Sequence, residues 1–415
     1  MIKVSIATIV ALAGTAIAQP APPPPSAAPA PDQPPAAPPP PPTDQPPTTP
    51  AEPVVPVKVD EPKPAAKKDE AGPAKLAVGK AGQGFFQLGV LMQGWLVLER
   101  GNDTTLSTFR LRRAELSVKG EILPKHVGYV LMIDPAKVRE FGTTTVAGPP
   151  DAMGNPTTVT IRQPVSSVSV LQDFYITFLS TWMDVSLGQF KIPVSWEGYN
   201  SSGKILFPER SLVSTQFGDK RDLGVRLAKT FPKWGYSAGV FNGAALNNLD
   251  NNNQKDVALR LEAYPVKGMT IAGVTYDSIG YRRRGGTKDR WEADFRYETG
   301  PFLVQAEYLR ARDVAKDLAD PTTAQGFYVA AGYTIKKVPL PLEGDLQPIV
   351  RVGYLDQDVS QNVPATGADE LMHYDVGLNY YLRSHEMKLQ AAYQRQQYDD
   401  KPANNQVIVA AQVFY

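Results

Sequence analysis

The chain has 415 residues, with 43 basic and 42 acidic side chains and no cysteine. Its net charge of +1 gives no basic surface of the kind that nucleic-acid binding requires. The lack of cysteine excludes a disulfide framework, a thiolate zinc site, an iron–sulfur cluster and a cysteine nucleophile. Function therefore rests on charged side chains, aromatic side chains and shape.

The first 18 residues have the pattern of a secretory signal peptide. Lys3 precedes an apolar run over residues 4–13, and residues 16–18 have the small-x-small form that signal peptidase cleaves. The run is well short of the roughly 20 residues of a membrane-spanning helix, which disfavours an uncleaved anchor. We predict cleavage after Ala18 and export of the remaining chain.

A proline-rich segment follows over residues 19–66. It contains 21 of the 39 prolines, so it lacks backbone donors and the apolar bulk of a core. We predict a disordered periplasmic linker of polyproline II character, with a reach of up to roughly 140 Å at about 3.1 Å per residue. It could act as a spacer, as a cell-wall tether or as a ligand for an aromatic groove. Residues 67–84 form a polar exit segment.

From residue 85 onward, short segments alternate between apolar and polar residues. One of them places Trp291 and Phe295 on one face, and Glu292 and Asp294 on the other. The pattern predicts sixteen strands, at 85–99, 107–121, 125–135, 169–180, 183–191, 221–230, 234–243, 254–264, 268–278, 287–298, 301–312, 325–336, 346–357, 370–382, 386–397 and 404–415. We predict an all-β fold, an antiparallel transmembrane barrel over residues 85–415.

Periodicity alone does not distinguish a water-soluble barrel, with its apolar face inward, from a membrane barrel with its apolar face toward lipid. The even strand count favours the membrane barrel. Short turns such as 231–233 also alternate with long loops such as 136–168 and 192–220, which is the asymmetry of bacterial outer-membrane barrels. No apolar run of 18 residues follows the leader, so spanning by helices is not expected.

The chain ends with Val407, Val409, Ala411, Val413 and Tyr415 on one face. This ending resembles the assembly signal of outer-membrane proteins, which predicts that the barrel assembly machinery recognises Val413 and Tyr415. Both side chains are expected on the lipid face at the periplasmic edge. The N-terminal arm and the C-terminus are then both periplasmic.

Four motifs carry a resemblance to a known family. They are Phe109-Arg110-Leu111-Arg112-Arg113-Ala114-Glu115-Leu116, Leu187-Gly188-Gln189-Phe190-Lys191, Phe207-Pro208-Glu209-Arg210-Ser211-Leu212 and Tyr236-Ser237-Ala238-Gly239-Val240-Phe241-Asn242-Gly243. In this order they are similar to the phosphate-selective (O and P type) porin family, over most of residues 85–415. The resemblance implies a trimer of sixteen-stranded barrels, an inward-folded third loop and an anion pathway lined by basic side chains.

Two adjacent arginines lie where one strand changes phase. The apolar phase slips between Leu111 and Ala114, which predicts a bulge that turns both Arg112 and Arg113 toward the lumen. Guanidinium groups bind phosphate oxygens bidentately, so the pair is a candidate anion station at a narrowing. In the alternative interpretation, the arginines pair with Glu115 or with carboxylates of neighbouring strands and brace the wall.

Loop 192–220, predicted to lack secondary structure, is long enough to fold into the barrel. An inward fold would place its cations, Lys204 and Arg210, across from Arg112 and Arg113 and so form a constriction. Outside the barrel it would be a solvent-exposed surface loop. Glu197, Glu209, Asp219 and Asp222 partly cancel the positive charge here, which leaves a general, non-selective porin open. The predicted pore-lining and anion-binding residues are Arg110, Arg112, Arg113, Lys191, Lys204, Arg210, Arg221 and Arg226.

Other motifs give no support for an enzyme. The G-x-S-x-G spelling at residues 235–239 lies inside an alternating strand, whereas a nucleophile elbow needs a strand-to-helix turn. The three histidines, His126, His373 and His385, have no metal-ligand spacing. We therefore expect no catalytic residue, no cofactor and no metal.

The sequence thus predicts an outer-membrane porin for diffusion of small solutes, with anions such as phosphate favoured. A structural anchor from the outer membrane to peptidoglycan, through the proline-rich arm, is the alternative from another class. The expected partners are small anionic solutes, outer-membrane lipid and two further copies of the chain in a homotrimer. Arg282, Arg283 and Arg284 lie in a predicted outside loop and could contact lipopolysaccharide phosphates.

Overall fold

The structure is a computed structural model. It describes residues 76–77, 84–100, 105–139, 141–148, 157–164, 170–250, 252–279, 287–314, 321–359, 370–398 and 402–415. The predicted signal peptide, the proline-rich linker, most of the exit segment and the arginines at 282–284 lie outside the described residues.

The described residues form a closed antiparallel barrel of sixteen strands, as the alternating pattern predicts. The strands, labelled β1 to β16 in chain order, are Phe85–Arg100, Thr105–Leu123, Val127–Ile133, Leu171–Phe178, Asp184–Lys191, Arg221–Thr230, Trp234–Phe241, Lys255–Ala263, Met269–Ile279, Thr287–Thr299, Phe302–Val314, Thr322–Tyr333, Gly344–Asp356, Glu370–Arg383, Met387–Tyr398 and Asn404–Phe414. The first and last strands pair from Leu91 with Phe414 to Arg100 with Asn405, which closes the barrel.

Three short pairings lie outside this ring of sixteen strands. Leu76–Ala77 pairs with the start of β1, and Ile335–Val338 pairs irregularly with β13. Phe141–Gly148 and Thr157–Pro164 form a separate hairpin within the loop between β3 and β4. That loop was predicted without a hairpin, since its Thr- and Gly-rich sequence lacks an apolar face that would mark a barrel strand.

The predicted strand ends agree with the structure to within three residues. The largest difference is at β12, predicted at 325–336 and found at Thr322–Tyr333. The apolar alternation runs on through Ile335, but Lys337 has a positive φ of 55° and the register shifts beyond Ile335, so the long strand ends earlier.

Side-chain exposure identifies which face of the barrel points outward. On β10, Trp291 is 47% exposed, whereas Glu292 and Asp294 are 5% and 4% exposed. On β2, Phe109 is 86% exposed. Apolar side chains therefore cover the outer surface and charged side chains line the interior, which is the arrangement of a membrane barrel and the reverse of a water-soluble one.

Short and long connections lie at opposite ends of the barrel. At one end, turns such as 231–233 and 384–386 join neighbouring strands, and at the other end lie loops such as 134–170 and 192–220. We call them the short-turn end and the long-loop end. Across the described ranges, no helix combines the length and apolar character needed to cross a membrane.

The bulge predicted in β2 is present. Gln93 of β1 pairs with Arg113, and the next residue, Gly94, pairs with Leu111, so Arg112 is the extra residue between them. The register shift brings Arg112 and Arg113 to the same side of the strand, where both reach loop 192–220.

Part of the barrel interior is filled by an apolar core rather than by polar side chains alone. Loop 192–220 contributes Val194, Val213 and Phe217 to this core, and the wall contributes Phe241 and Leu309. All five side chains are buried. The loop is therefore packed inside the barrel, because its apolar side chains are removed from water there.

Candidate functional site

Loop 192–220 contains short helices that the sequence analysis did not predict. Helix α1 is Trp196–Tyr199 and helix α2 is Leu212–Phe217, with one 3-10 turn at Ser202–Lys204 between them. Each helix begins after a serine whose hydroxyl accepts a hydrogen bond from a backbone N–H, at 3.0 Å for Ser195 and 3.3 Å for Ser211. The expectation of a loop without secondary structure is therefore wrong.

Two wall carboxylates hold the start of α1. Glu292 of β10 accepts hydrogen bonds from the backbone N–H groups of Ser195 at 2.5 Å and Trp196 at 3.2 Å. Glu307 of β11 accepts from the N–H of Glu197 at 2.7 Å and from the Ser195 hydroxyl at 2.6 Å. Carboxylates are favoured here because the first N–H groups of a helix have no intrahelical partner. We call this set of contacts the latch.

A buried ion-pair network continues from the latch. The Glu197 carboxylate accepts from the backbone N–H of Ser211 at 2.7 Å and lies 3.5 Å from the guanidinium of Arg351 on β13. Arg351 in turn pairs with Asp375 at 2.5 Å and donates to the backbone carbonyl of Glu209 at 3.1 Å. The network therefore connects two segments of the loop, around Glu197 and around Glu209, to strands β13 and β14.

The middle of the loop rests against β14 to β16. The Leu206 carbonyl accepts from Asn379 at 2.9 Å and from Gln390 at 3.1 Å, and Lys388 donates to the Ile205 carbonyl at 3.0 Å. A Cβ added at Gly203 would lie 2.9 Å from the Phe414 ring, so only glycine allows this close approach.

On the side of β2, the loop is held by the two predicted arginines. Glu209 lies 2.8 Å from Arg112 Nε and 3.3 Å from Arg113 Nη2, and Arg113 also donates to Gln93 at 2.7 Å. Arg113 is 4% exposed, whereas the Arg112 side chain is 26% exposed. Both arginines thus form ion pairs with a carboxylate of the loop, Glu209, rather than with Glu115.

Three further predicted cations surround Asp219. Its carboxylate lies 2.9 Å from Lys191, 2.9 Å from Arg210 and 3.7 Å from Arg221. Arg221 also forms a two-point contact with Asp173, at 2.9 and 3.3 Å. The cluster joins the end of loop 192–220 to β5 and β6.

Electrostatics keep both loop carboxylates ionised. Burial raises the pKa of Glu209, but Arg113 and Arg112 outweigh that effect and lower it to about 2. Burial likewise opposes ionisation of Asp219, whereas Lys191 and Arg210 lower its pKa well below the ordinary value. The loop is therefore held by charged pairs across the ordinary pH range.

An opening remains between the loop and the wall formed by β2 to β6. It consists of two cavities of about 200 and 220 Å³, both lined by Glu115, Ser202 and Arg221. The first also reaches Arg112, and the second reaches Tyr199. Because the cavities share three lining residues, they lie next to each other, and we call the space that they occupy the passage.

Two other predicted site residues, Arg110 and Arg226, do not line either cavity of this opening. Arg110 is exposed and opposite Trp95, on the long-loop side of the bulge. Arg226 donates to Tyr199 at 3.1 Å and stacks over Phe190 at 4.6 Å.

An inward fold was expected to place Lys204 and Arg210 opposite Arg112. The loop does fold inward, but neither residue lines the two cavities of the opening. Lys204 lines a separate cavity of about 210 Å³ at the short-turn end, because the turn that carries it lies beyond the loop's contact with the wall. Arg210 is 3% exposed and donates to the Glu197 and Asn200 carbonyls inside the loop.

Sequence reasoning missed the residues that position the loop. Glu292 was identified only as part of a charged strand face, and Glu307, Arg351 and Lys388 were not singled out. Strand alternation does point them inward, but their partners lie about 100 to 180 residues away in the sequence. No local signal identifies such pairs.

The predicted assembly residues lie at the seam of the barrel. Tyr415 and Val90 exchange two backbone hydrogen bonds, at 2.8 and 2.9 Å, and the Tyr415 side chain is 55% exposed. Val413 is 39% exposed and pairs with Met92 and Met387. Within the described ranges, no group of three or more His, Asp and Glu side chains is arranged to hold a metal ion.

The sequence matches the family model described as phosphate-selective porin O and P, over residues 97–283 and 272–414. The chain belongs to this family. It is an outer-membrane porin, and the family resemblance inferred from the four motifs is confirmed. No curated protein sequence matches the chain.

Solved structures with a similar fold include other outer-membrane proteins. The outer membrane channel DcaP of Acinetobacter baumannii has a TM-score of 0.54 at 13% identity, covering 82% of this chain and 100% of that chain. An anion-selective porin from Comamonas acidovorans has a TM-score of 0.52 at 9% identity, covering 80% and 100%. The trimer form of OmpT from Vibrio cholerae has a TM-score of 0.51 at 12% identity, covering 80% and 99%. At these identities the likeness supports the fold alone.

Proposed function

We propose that this porin passes small anions, inorganic phosphate among them, through the opening between loop 192–220 and strands β2 to β6. The observation that carries the proposal is the charge of the first cavity. Its lining has five cationic side chains and three carboxylates, namely Arg112, Arg113, Lys137, Lys220 and Arg221 against Glu115, Asp134 and Asp219. An excess of positive charge in a narrow, water-filled space raises the local concentration of anions.

Arg112 is the residue best placed to meet a passing anion. Its guanidinium contacts Glu209 through Nε and stacks on Trp95 at 5.6 Å, and its side chain is more exposed than that of Arg113. A guanidinium group can bind two phosphate oxygens at once. We assign Arg113 to holding the loop and Arg112 to attracting the anion.

A general, non-selective porin is the second candidate, favoured by the three carboxylates in the same cavity. Zero-current potentials in asymmetric potassium chloride, followed by phosphate titration, separate the two. A selective anion channel gives a reversal potential on the anion side and a chloride current that phosphate blocks. A potential near zero without block would support the general porin, and cation preference would overturn the proposal.

We further propose that the short-turn end faces the periplasm, since both the start of β1 and Tyr415 lie there. A homotrimer is supported by the trimer form of a structural neighbour. Lipopolysaccharide, the barrel assembly machinery and peptidoglycan are expected partners on sequence grounds. Protease protection of the short turns in intact cells tests the orientation.

A further inference from the structure

A further cavity lies at the long-loop end, next to the passage. Its volume is about 330 Å³, and its walls include Ile192, Val194, Phe217 and Tyr276. Apolar walls are unusual in the lumen of a membrane barrel, where inward-facing residues are mostly polar. This entry cavity therefore offers a surface that a small inorganic ion does not use.

The aromatic side chains of the wall are held in place by contacts with neighbouring side chains, of which Arg290 also lines the cavity. Arg290 stacks over the Phe217 ring at 5.3 Å and is itself fixed by a two-point contact with Asp313, at 2.5 and 3.0 Å. The Tyr276 hydroxyl donates to Asp256. A fixed apolar wall binds an apolar group without the cost of ordering side chains on binding.

Two lysines at the edge of the entry cavity supply positive charge. Lys220 and Lys288 are both exposed, and in the described part of the chain neither forms an ion pair. The carboxylate in the lining, Asp222, accepts hydrogen bonds from the N–H groups of Leu223 at 2.8 Å and Gly243 at 2.6 Å. The edge of the cavity thus favours an anionic head group.

The entry cavity lies next to the first cavity of the proposed anion passage. Lys220, Arg221 and Ala245 line both this cavity and the first cavity of the passage. An anion bound at Lys220 is therefore adjacent to the cavity that Arg112 lines. A ligand bound here lies on the route to the opening.

We propose that the entry cavity binds an organic carboxylate, with its apolar chain against Val194 and Phe217 and its carboxylate at Lys220 and Lys288. The inference rests on the proposed anion selectivity and adds a substrate class to it. Inorganic phosphate would use the lysines alone. An alkanoate would use the lysines and the apolar wall together.

The test compares two probes with the same head group, acetate and hexanoate, as blockers of chloride current through the full chain in planar bilayers. In the unaltered protein, hexanoate should block half of the current at a concentration at least about tenfold lower than acetate, since burying about two methylene groups accounts for that ratio. Equal potency of the two probes would overturn the inference. It would leave the anion selectivity, measured beforehand in chloride alone, as a separate result.

Two variants locate the effect. Val194→Thr keeps the side-chain shape but replaces a methyl group with a hydroxyl, so it should weaken hexanoate block severalfold and leave acetate block unchanged. Lys288→Gln should weaken block by both probes. Matched controls, Val266→Thr and Lys267→Gln, lie in an exposed turn at the short-turn end and should change neither. Hexanoate block that is insensitive to both test variants would place the binding site elsewhere and overturn the inference.

Discussion

The two sides of the barrel interior are built from the same alternating strand pattern but are filled differently. On the side of β2 to β6, charged residues such as Arg112 and Arg221 line an open passage. On the side of β10 to β16, charged and polar residues such as Glu292 and Arg351 are buried beneath loop 192–220. An inward-facing charge therefore has two roles in this barrel, depending on whether the loop covers it.

The difference follows from the partners of each charge. Glu292 and Glu307 find backbone N–H groups at the start of a helix, which satisfy buried carboxylates. Arg112 shares the Glu209 carboxylate with Arg113, but its side chain is 26% exposed and lines the first cavity of the passage, where an anion can reach it. Removing a charged side chain that the loop covers should therefore release the loop from the wall and widen the lumen. Removing a charged side chain that lines the passage should change the ion selectivity.

The largest effect is expected from breaking the latch. In the double variant Glu292→Gln and Glu307→Gln, each amide keeps one acceptor oxygen where the carboxyl group offered two, so part of the set of four hydrogen bonds is lost, at about 0.5–1.5 kcal/mol for each bond. We expect the loop to leave the wall and single-channel conductance to rise severalfold. Planar-bilayer recordings at high salt measure this increase.

A matched control for the latch variant is Glu298→Gln. Glu298 lies on the inward face of β10 as Glu292 does, but it pairs with Arg296 near the short-turn end, and among the described residues no hydrogen bond or ion pair joins its side chain to the loop. Its conductance should equal that of the unaltered protein. Unchanged conductance in the double variant as well would show that the latch does not hold the loop.

The second effect, on ion preference, compares two residues that sequence reasoning had grouped together. Arg112→Gln removes a charge from the passage, so the reversal potential should move toward the cation side while conductance changes little. Lys204→Gln removes a charge from the separate cavity at the short-turn end and should have a smaller effect. Zero-current potentials measure both variants, and equal shifts would contradict the assignment of the passage to β2–β6.

The third effect is a loss of loop anchoring in acid. The pKa of Glu209 in the folded protein, about 2, lies below its ordinary value of 4.5, so its pairs with Arg112 and Arg113 stabilise the loop fully above about pH 4.5. That stabilisation, about 3 kcal/mol, is lost as the pH falls from 4.5 toward 2. Conductance should be constant from pH 7 to about 4.5 and should change below that range.

The variant Glu209→Gln gives the control for this acid effect. It removes the titrating carboxylate, so it should show at neutral pH the conductance that the unaltered protein reaches only in acid. A change in conductance between pH 7 and 5 in the unaltered protein would point to a group other than Glu209.

The barrel was predictable from sequence because alternation is a local property. Trp291 and Glu292 reveal their faces within one strand, and the phase slip before Ala114 reveals the bulge. The loop was less predictable because its path depends on partners far away in the sequence, as for Glu307 and Glu197. Its helices have four and six residues, too short to show an apolar period, so only the capping serines mark them.

The smallest effect on the channel itself is expected at the barrel seam. Deleting Tyr415 removes the two backbone hydrogen bonds with Val90 and the exposed aromatic ring at the end of β16, but it touches neither the loop nor the passage. The amount of assembled protein in the outer membrane should therefore fall, while the conductance of the molecules that do assemble stays unchanged. Tyr415→Phe keeps the backbone contacts and the ring, so it should assemble nearly normally. Quantifying heat-modifiable barrel in membrane fractions and recording single channels separates assembly from conduction. Normal assembly of the deletion variant would mean that closure between β1 and β16 does not depend on the last residue.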